Sequence, residues 1–522
     1  MKNTTEDHGT NRAKPYQLAL FPMNNAATNV YFVLVLSYVL NFGNGVLGMA
    51  VIFVSMMITV MRLFDAITDP IIGAMIDHTN GKFGKFRPFM ILGNVIMAVS
   101  ILAMYLLTPL VPATMMWLRY VMFVLLYSIW VIGYTFQTAC TRSGQTVMTN
   151  DPKQRPLFTL FNTVGSLIGM GAMQFLAPIV GKMSGGYNTA TFFQRIAPIG
   201  IVVSIVLTVL AVIGIWEKDQ PKYFGLSGTH KEKVKVKEYV SIIKHNKPMQ
   251  RLMVAGAGCK LALAIATHTA VLCMLYGCMM SNYDGLYLPM MVIGYAFSAP
   301  FFLLTIRTSQ KHGQKASLQK YVALALTMYV GVLVLLLIWQ EGVPALNLSL
   351  MGSGGLNLNL YTVLFILFFG VGYGAYYSTA DMPIPMVADC SDYETYRSGK
   401  YIPGIIGTLF SLVDKLVSSL ASLVVTVALL FIGLHEIPDQ YTAYVPGMNW
   451  VVIALFCLVP MAAWIATLLA MKGYILTGDK MKEIQTVNAA RKKAIDQGMS
   501  LDEAMQTYQS VEEASAEMQA KA

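Results

Sequence analysis

Two carboxylates interrupt a long apolar stretch of the sequence between Arg62 and Pro88. Asp65 and Asp69 are four residues apart, so on an α-helix they share one face and can present oxygens to a single small cation. Charges that deep in hydrocarbon are costly, and they usually face a bundle interior where they serve an ion or substrate path. A structural ion pair with a neighbouring helix is the alternative, but such a pair does not need two acids on one face. The spacing therefore predicts a cation site.

The composition excludes an ordinary soluble protein. The 522 residues are 56% apolar and 12% charged, whereas soluble domains contain about 25% charged residues. Apolar runs of about 20 residues recur along the chain, which predicts an all-α polytopic protein in a lipid bilayer. The net charge of +10 falls in short loops and a central linker, where it sets topology, so we expect no nucleic-acid partner.

The apolar runs predict twelve transmembrane spans. They lie near 18–42, 46–76, 89–110, 114–145, 157–181, 194–216, 250–279, 286–307, 319–340, 358–389, 402–433 and 449–473. Loops rich in Lys and Arg alternate with loops that are poor in them. By the positive-inside rule, both termini are then cytoplasmic and the protein is a multi-pass protein of the plasma or inner membrane.

A lysine-rich stretch divides the spans into six and six. We predict a cytoplasmic N-terminal segment, a six-helix bundle, a cytoplasmic linker, a second six-helix bundle and a cytoplasmic tail, at 1–17, 18–216, 217–249, 250–473 and 474–522. The basic turn after the second span is echoed after the eighth, as expected for a transporter built from repeats. The six cysteines lie in or at the ends of apolar runs without metal-ligand spacing, which predicts buried thiols.

Three parts of the sequence resemble the glycoside–pentoside–hexuronide:cation symporters of the major facilitator superfamily, which include the melibiose transporter. They are RLFDAITDPIIGAMID with its GKFGKFRP ending, the MVADCSDYE segment at 386–394, and Lys415 in the eleventh span. The resemblance implies two six-helix bundles around a central cavity. It also implies alternating access that couples a sugar or glycoside substrate to Na⁺, H⁺ or Li⁺, with no other cofactor.

The resemblance extends to the cation site. Asp65 and Asp69 match the family's cation-binding acids, and Thr135 matches a cation-site threonine. Thr68 stands where the melibiose transporter has an asparagine, and Lys415 matches a lysine near both sites. Na⁺ suits these oxygens, but two neighbouring carboxylates can also hold H⁺ because their repulsion raises one pKa. Na⁺ and H⁺ both remain open as the coupling ion.

The sugar site departs from the melibiose pattern. Asn29 and Thr138 align with two sugar-binding acids, Asn162 with an arginine and Arg142 with a tryptophan, while Tyr134 matches a tyrosine of the cavity wall. These five residues are the predicted substrate contacts in the first half of the chain.

Lys260, near the middle of the seventh span, is the predicted contact in the second half. Together with Arg142 it shifts the cavity toward positive charge, which favours a hexuronide or another carboxylate-bearing glycoside. The alternative is that Lys260 pairs with Asp381 or Asp414, with a neutral sugar as substrate. Loss of the sugar acids also allows a non-sugar organic anion.

A cytoplasmic latch is predicted at the basic turn after the second span. Its residues can form ion pairs with helix ends of the other bundle and hold one state of alternating access: Asp77, Lys82, Lys85, Arg87, Asp389 and Asp392. The alternative is a patch that only sets topology.

Other functional classes lack support in the sequence. We find no His/Cys/Asp metal spacing, no Gly-rich phosphate loop and no G-x-S-x-G motif, so an enzyme is not expected. We expect the transporter to work as a monomer.

The cation site yields the first testable prediction. Asp69→Asn removes one of the two carboxylates and should abolish cation-driven substrate accumulation. Uptake under an imposed Na⁺ or H⁺ gradient measures this, and unchanged accumulation would contradict the assignment.

Overall fold

The structure is a computed structural model. It describes residues 11–79, 81–151, 153–224, 244–352, 355–356, 358–434, 438 and 442–514. Four of the eight lysines of the predicted linker, the first part of the N-terminal segment and the end of the tail lie outside these residues.

Long α-helices make up most of the described chain, because a helix satisfies its own backbone in an apolar surrounding. In the first half they are α1 Pro15–Leu20, α2 Met23–Phe32, α3 Val51–Asp77, α4 Arg87–Leu102, α5 Met116–Ser143, α6 Gln145–Met148, α7 Arg155–Met183 and α8 Ala190–Ile215. π-helical turns cover Val33–Ser37, Asn41–Val46 and Ala103–Leu107, and 3₁₀ turns cover Thr108–Leu110, Ala113–Met115 and Pro221–Tyr223.

The second half continues in the same way. Its helices are α9 Lys247–Ala266, α10 Thr269–Leu272, α11 Tyr283–His312, α12 Gln314–Ile338, α13 Leu360–Thr379, α14 Pro383–Ser398, α15 Pro403–Leu430, α16 Met448–Ile453, α17 Val459–Lys472, α18 Gly478–Asp496 and α19 Leu501–Thr507. π-helical turns cover Cys273–Met279 and Ala454–Leu458, a 3₁₀ turn covers Pro344–Leu346, and β1 (Met351–Gly352) pairs antiparallel with β2 (Gly355–Leu356).

Ten helical segments in the described residues are long and apolar enough to cross a membrane. The two other predicted spans coincide with the helices α3 and α15. The helical structure of the tenth predicted span extends beyond 389, because α14 continues to Ser398. Pro383 starts a new helix there after a short break, and the residue before a proline disfavours the helical conformation.

The described chain forms two compact units. The first takes its residues from Met1–Asn246, Val387–Leu412 and Gly478–Ala522, and the second from Lys247–Met386 and Val413–Thr477. In the first unit α2 packs on α7 and α8, α4 on α5 and α8, and α3 on α5. In the second unit α9 packs on α17, while α13 packs on α11 and α12.

The tail supplies α18 to the first unit, whose core residues there include Val487 and Ala490. All six cysteines are buried, which confirms that prediction. The boundaries of the two predicted six-helix bundles stay a prediction.

The turn between α3 and α4 is held by Asp219. Its carboxylate accepts hydrogen bonds from the backbone N–H groups of Lys85 (2.7 Å), Phe86 (3.0 Å) and Arg87 (2.9 Å). A carboxylate at a helix start satisfies donors that have no partner within the helix. Gly84 makes this approach possible: its φ is +88°, and a Cβ atom there would lie 2.2 Å from Asp219 Oδ2.

Gly84→Ala should therefore destabilise the protein. The substitution forces a side chain into the left-handed region, which costs about 1–2 kcal/mol, and also displaces Asp219. We expect a lower thermal midpoint for the purified full-length variant. Gly81→Ala, three residues earlier, is the matched control because a Cβ atom there meets nothing within 4 Å. Equal midpoints for the two variants would contradict this account.

Candidate functional site

The centre of the candidate cation site is a hydrogen bond between α3 and α5. Thr135 Oγ1 donates to Asp65 Oδ1 at 2.5 Å. Thr135 is fully buried, and Asp65 is only 8% exposed. An ionised carboxylate in such a place needs charge-assisted hydrogen bonds or a cation to offset its lost hydration.

Thr68 brings a second hydroxyl to the same place. Its Oγ1 donates to the backbone carbonyl of Asp65 at 3.0 Å and lies 3.4 Å from Thr135 Oγ1. Asp69 follows Asp65 by about one turn of α3 and is 1% exposed. Carboxylate and hydroxyl oxygens from two helices are the ligand chemistry that hard cations prefer, so these four residues fit a small monovalent cation.

Lys415 belongs to the second unit. It lies in α15 and is half-buried. Its predicted role beside Asp65 and Asp69 stays a prediction.

Two predicted substrate residues meet in an amide cluster between α2 and α7. Asn29 Nδ2 donates to the Asn25 carbonyl at 2.8 Å and to Ser166 Oγ at 3.2 Å. Asn25 Nδ2 donates to Ser166 Oγ at 2.8 Å and to the Asn162 carbonyl at 3.1 Å. Asn162 Oδ1 is buried and accepts no hydrogen bond from the described residues. The cluster thus retains one acceptor for a donor such as a sugar hydroxyl.

The other three predicted substrate residues of the first unit follow one another along α5. Tyr134, Thr138 and Arg142 recur every four residues, so they share a face, and all three are half-buried. Tyr134 stacks on Trp130 with ring centroids 5.3 Å apart. Thr138 Oγ1 donates to the Tyr134 carbonyl at 3.1 Å. Arg142 lies in the last turn of α5, toward the end that joins α6.

Gln137 faces a different set of neighbours. It is fully buried, accepts from Thr28 Oγ1 at 2.9 Å, and donates to the Met90 carbonyl and Thr208 Oγ1 at 3.2 Å each. This buried network joins α5 to α2, α4 and α8, which is a packing role.

Lys260 has an acidic neighbour within the second unit. Its Nζ lies 3.7 Å from Asp414 Oδ1, and the two side chains are 31% and 20% exposed. This is one of the two pairings that would neutralise the lysine, and it weakens the argument for a positively charged cavity.

At the end of α3, Asp77 joins two helices. Its carboxylate lies 3.1 Å from Lys85 Nζ, and both side chains are only 2% exposed. It also accepts the backbone N–H groups of Gly404 (2.9 Å) and Ile405 (2.7 Å), at the start of α15. Gly73 allows the close approach, since a Cβ atom there would lie 2.8 Å from the Gly404 carbonyl.

The other two basic residues of the turn, Arg87 and Lys82, have different surroundings. Arg87 pairs with Asp219 (Nε to Oδ2, 3.3 Å) and stacks over the Trp216 ring at 4.4 Å. We expected a partner in the other bundle, but Asp219 comes soon after α8. Lys82 is exposed.

Asp389 and Asp392 both contact the side chain of Arg155, a residue that was not predicted from the sequence. Arg155, at the start of α7, contacts Asp389 through Nη1 and donates from Nη2 to Asp392 Oδ2 at 2.5 Å. Arg155 is 2% exposed. Asp219 was missed in the same way. Each is a charged residue at the edge of an apolar run, and that position was the available signal.

The chain matches a family model described as MFS/sugar transport protein over residues 20–478. Among similar proteins, the uncharacterized symporter YjmB of Bacillus subtilis is 34% identical over 132 residues, which is 25% of this chain and 28% of that protein. The inner membrane symporter YicJ of Escherichia coli is 29% identical over 36% of this chain and 40% of its own length. The chain thus spans less than half the length of these two relatives.

A longer alignment joins the chain to the lactose permease of Lactobacillus delbrueckii, at 24% identity over 88% of this chain and 69% of the permease. The solved E. coli fucose:proton symporter, FucP, has a TM-score of 0.58 at 11% identity, covering 88% of this chain and 98% of that one. That likeness supports an all-α major facilitator fold. With residues 20–478 matched, the chain is a multi-pass membrane protein that belongs to the MFS/sugar transport protein family.

Proposed function

We propose that this protein is a secondary active transporter that moves a sugar or glycoside together with a monovalent cation by alternating access. The observation that carries the proposal is the convergence of Asp65, Thr68 and Thr135 inside the first unit, with Asp69 one turn away. A buried group of oxygens on facing helices has the chemistry of a coupling-ion site.

Coupling requires that the cation change the free energy of one conformation more than that of another. Two carboxylates on one face of α3 repel each other when both are ionised. Na⁺ or H⁺ removes this repulsion, and Asp65 and Asp69 would then favour the conformation in which α3 and α5 pack most closely. Either ion meets this requirement, so the coupling ion is decided by experiment.

A neutral sugar is the substrate class that we favour. The Lys260–Asp414 pair offsets one of the two positive charges on which an anionic substrate would depend. Asn162 offers a buried amide oxygen, and Tyr134 offers an aromatic face. Names of relatives agree, since they include lactose permeases, a raffinose carrier and an isoprimeverose transporter. A hexuronide is the alternative, and a non-sugar organic anion is the rival outside sugars.

We further propose that ion pairs at the cytoplasmic ends of the helices latch one state. Asp77 with Lys85, and Arg155 with Asp389 and Asp392, join the α3, α7, α14 and α15 ends. These pairs would have to separate for the cytoplasmic side to open. The termini would be cytoplasmic in the plasma or inner membrane, with the monomer as the functional unit.

Uptake by the purified protein in liposomes tests the function. We expect a radiolabelled neutral sugar, from a panel including lactose and raffinose, to accumulate only under a Na⁺ or H⁺ gradient. Imposing each gradient separately distinguishes the two ions. Gradient-driven uptake of an organic anion without any sugar would support the rival, and conduction without coupling would contradict the proposal.

Thr135 should control the apparent cation affinity. Thr135→Val removes the hydroxyl beside Asp65, and loss of one charge-assisted hydrogen bond of about 1.5–3 kcal/mol should raise the half-saturating cation concentration about tenfold or more. Thr135→Ser keeps the hydroxyl and should stay within about threefold of wild type. Equal cation dependence of the two variants would show that the hydroxyl is not a ligand.

Alanine variants of Lys85 and Lys82 provide a test of the proposed latch and its matched control. Lys85→Ala leaves the buried Asp77 without its ammonium partner, and truncating one member of a buried pair costs about 3–5 kcal/mol. We expect a severalfold change in the uptake rate. Lys82→Ala, on the exposed side of the same turn, should leave the rate near wild type. A wild-type rate in Lys85→Ala would favour a patch that only sets topology.

A further inference from the structure

The first unit contains a cavity that the transport proposal does not use. Its volume is about 520 Å³, within the usual range for small-molecule sites. The wall combines α18 of the tail with the C-terminal part of α14, the loop after α6 and the segment after α8. The tail helix is therefore a structural part of this cavity.

Basic side chains give the cavity its charge. Lys222, Lys492 and Lys493 line it, against Asp392 and Asp496. Asp392 is partly neutralised, because it shares Arg155 with Asp389. Lys492 Nζ donates to the Lys222 backbone carbonyl, a neutral partner that leaves its charge uncancelled. Burial lowers the pKa of this ammonium, although Asp496 opposes the shift, so the charge would gain from a bound anion.

Amide side chains supply further polar groups of the cavity wall. Asn488 Nδ2 donates to the Asp392 carbonyl at 3.1 Å, while Asn488 Oδ1 is buried and accepts no hydrogen bond from the described residues. Gln485 Nε2 donates to the Asn150 carbonyl at 2.5 Å. The buried oxygen of Asn488 is an acceptor that a ligand hydroxyl can satisfy.

We propose that this cavity binds a small phosphate ester that carries hydroxyl groups. Three lysines match the charge of a phosphate monoester, about −1.5 to −2 at pH 7, better than that of a single carboxylate. Lysine binds phosphate as a point charge, whereas bidentate carboxylate recognition uses arginine, and Arg155 is already occupied by two acids. The hydroxyl groups would meet Asn488.

The position of the cavity gives the ligand a regulatory effect. Asp392 forms part of the wall and also part of the contact with Arg155. A ligand held by Lys222, by the two lysines of α18 and by Asn488, whose amide already donates to the Asp392 carbonyl, would fix the tail against the end of α14 and stabilise that contact. Bound ligand should slow transport, and this second part depends on the proposed function.

Calorimetric titration of the purified full-length protein tests the site, with glucose 6-phosphate as the probe. We expect it to bind more tightly than inorganic phosphate and glucose. The double variant Lys222→Ala/Lys493→Ala should weaken binding at least about tenfold. The same two positions changed to Arg should retain most of the affinity.

Lys482→Ala is the control, since this side chain lies on the same helix, is 77% exposed and does not line the cavity. Equal thermal midpoints show that the variants fold. Absence of glucose 6-phosphate binding, an unchanged affinity in the double alanine variant, or equally tight binding of inorganic phosphate would overturn the site.

Liposomes that carry glucose 6-phosphate on the cytoplasmic side test the regulation. Uptake should fall severalfold in wild type and stay unchanged in the double alanine variant. Binding without any change in uptake would overturn the regulatory part. A protein that binds the ester but transports no sugar would instead disprove the proposed function, so the two failures are distinguishable.

Discussion

The free-energy cost of burying charged groups determines how neighbouring helices of the first unit contact each other. Three of its buried acids, two on α3 and one after α8, meet donors that offset their lost hydration. Asp65 accepts a threonine hydroxyl, Asp77 meets Lys85 and two backbone N–H groups, and Asp219 accepts three backbone N–H groups. Neighbouring helices are held in register by these contacts, because moving one helix would leave a carboxylate without its donors.

Two of these acids accept hydrogen bonds from backbone N–H groups at the start of a different helix. Asp219 satisfies the first donors of α4, and Asp77 those of α15. The N-terminus of a helix carries partial positive charge, so a carboxylate there is favourable even where water is excluded. These contacts require close approach of two elements, so they are lost together when the elements separate, which makes such helix ends suitable places for a conformational change.

The proposed cation site and the proposed latch lie on different parts of α3. Asp65, Thr68 and Asp69 lie in its middle, where carboxylate and hydroxyl oxygens collect. Asp77 lies at its end and is paired directly with a lysine.

The sequence by itself determined the helices, their approximate bounds and the acids that α3 carries, because hydropathy and i,i+4 spacing are local properties. It also identified Thr135 through the resemblance. Only the tertiary structure decided which group each charge meets. Asp77 bonds to Gly404, 327 positions away, and Arg155 bonds to Asp392, 237 positions away. Hydropathy shows that a charge in an apolar run is costly to bury, but it does not predict which group the charge pairs with. The pairing depends on packing between helices that are distant along the chain.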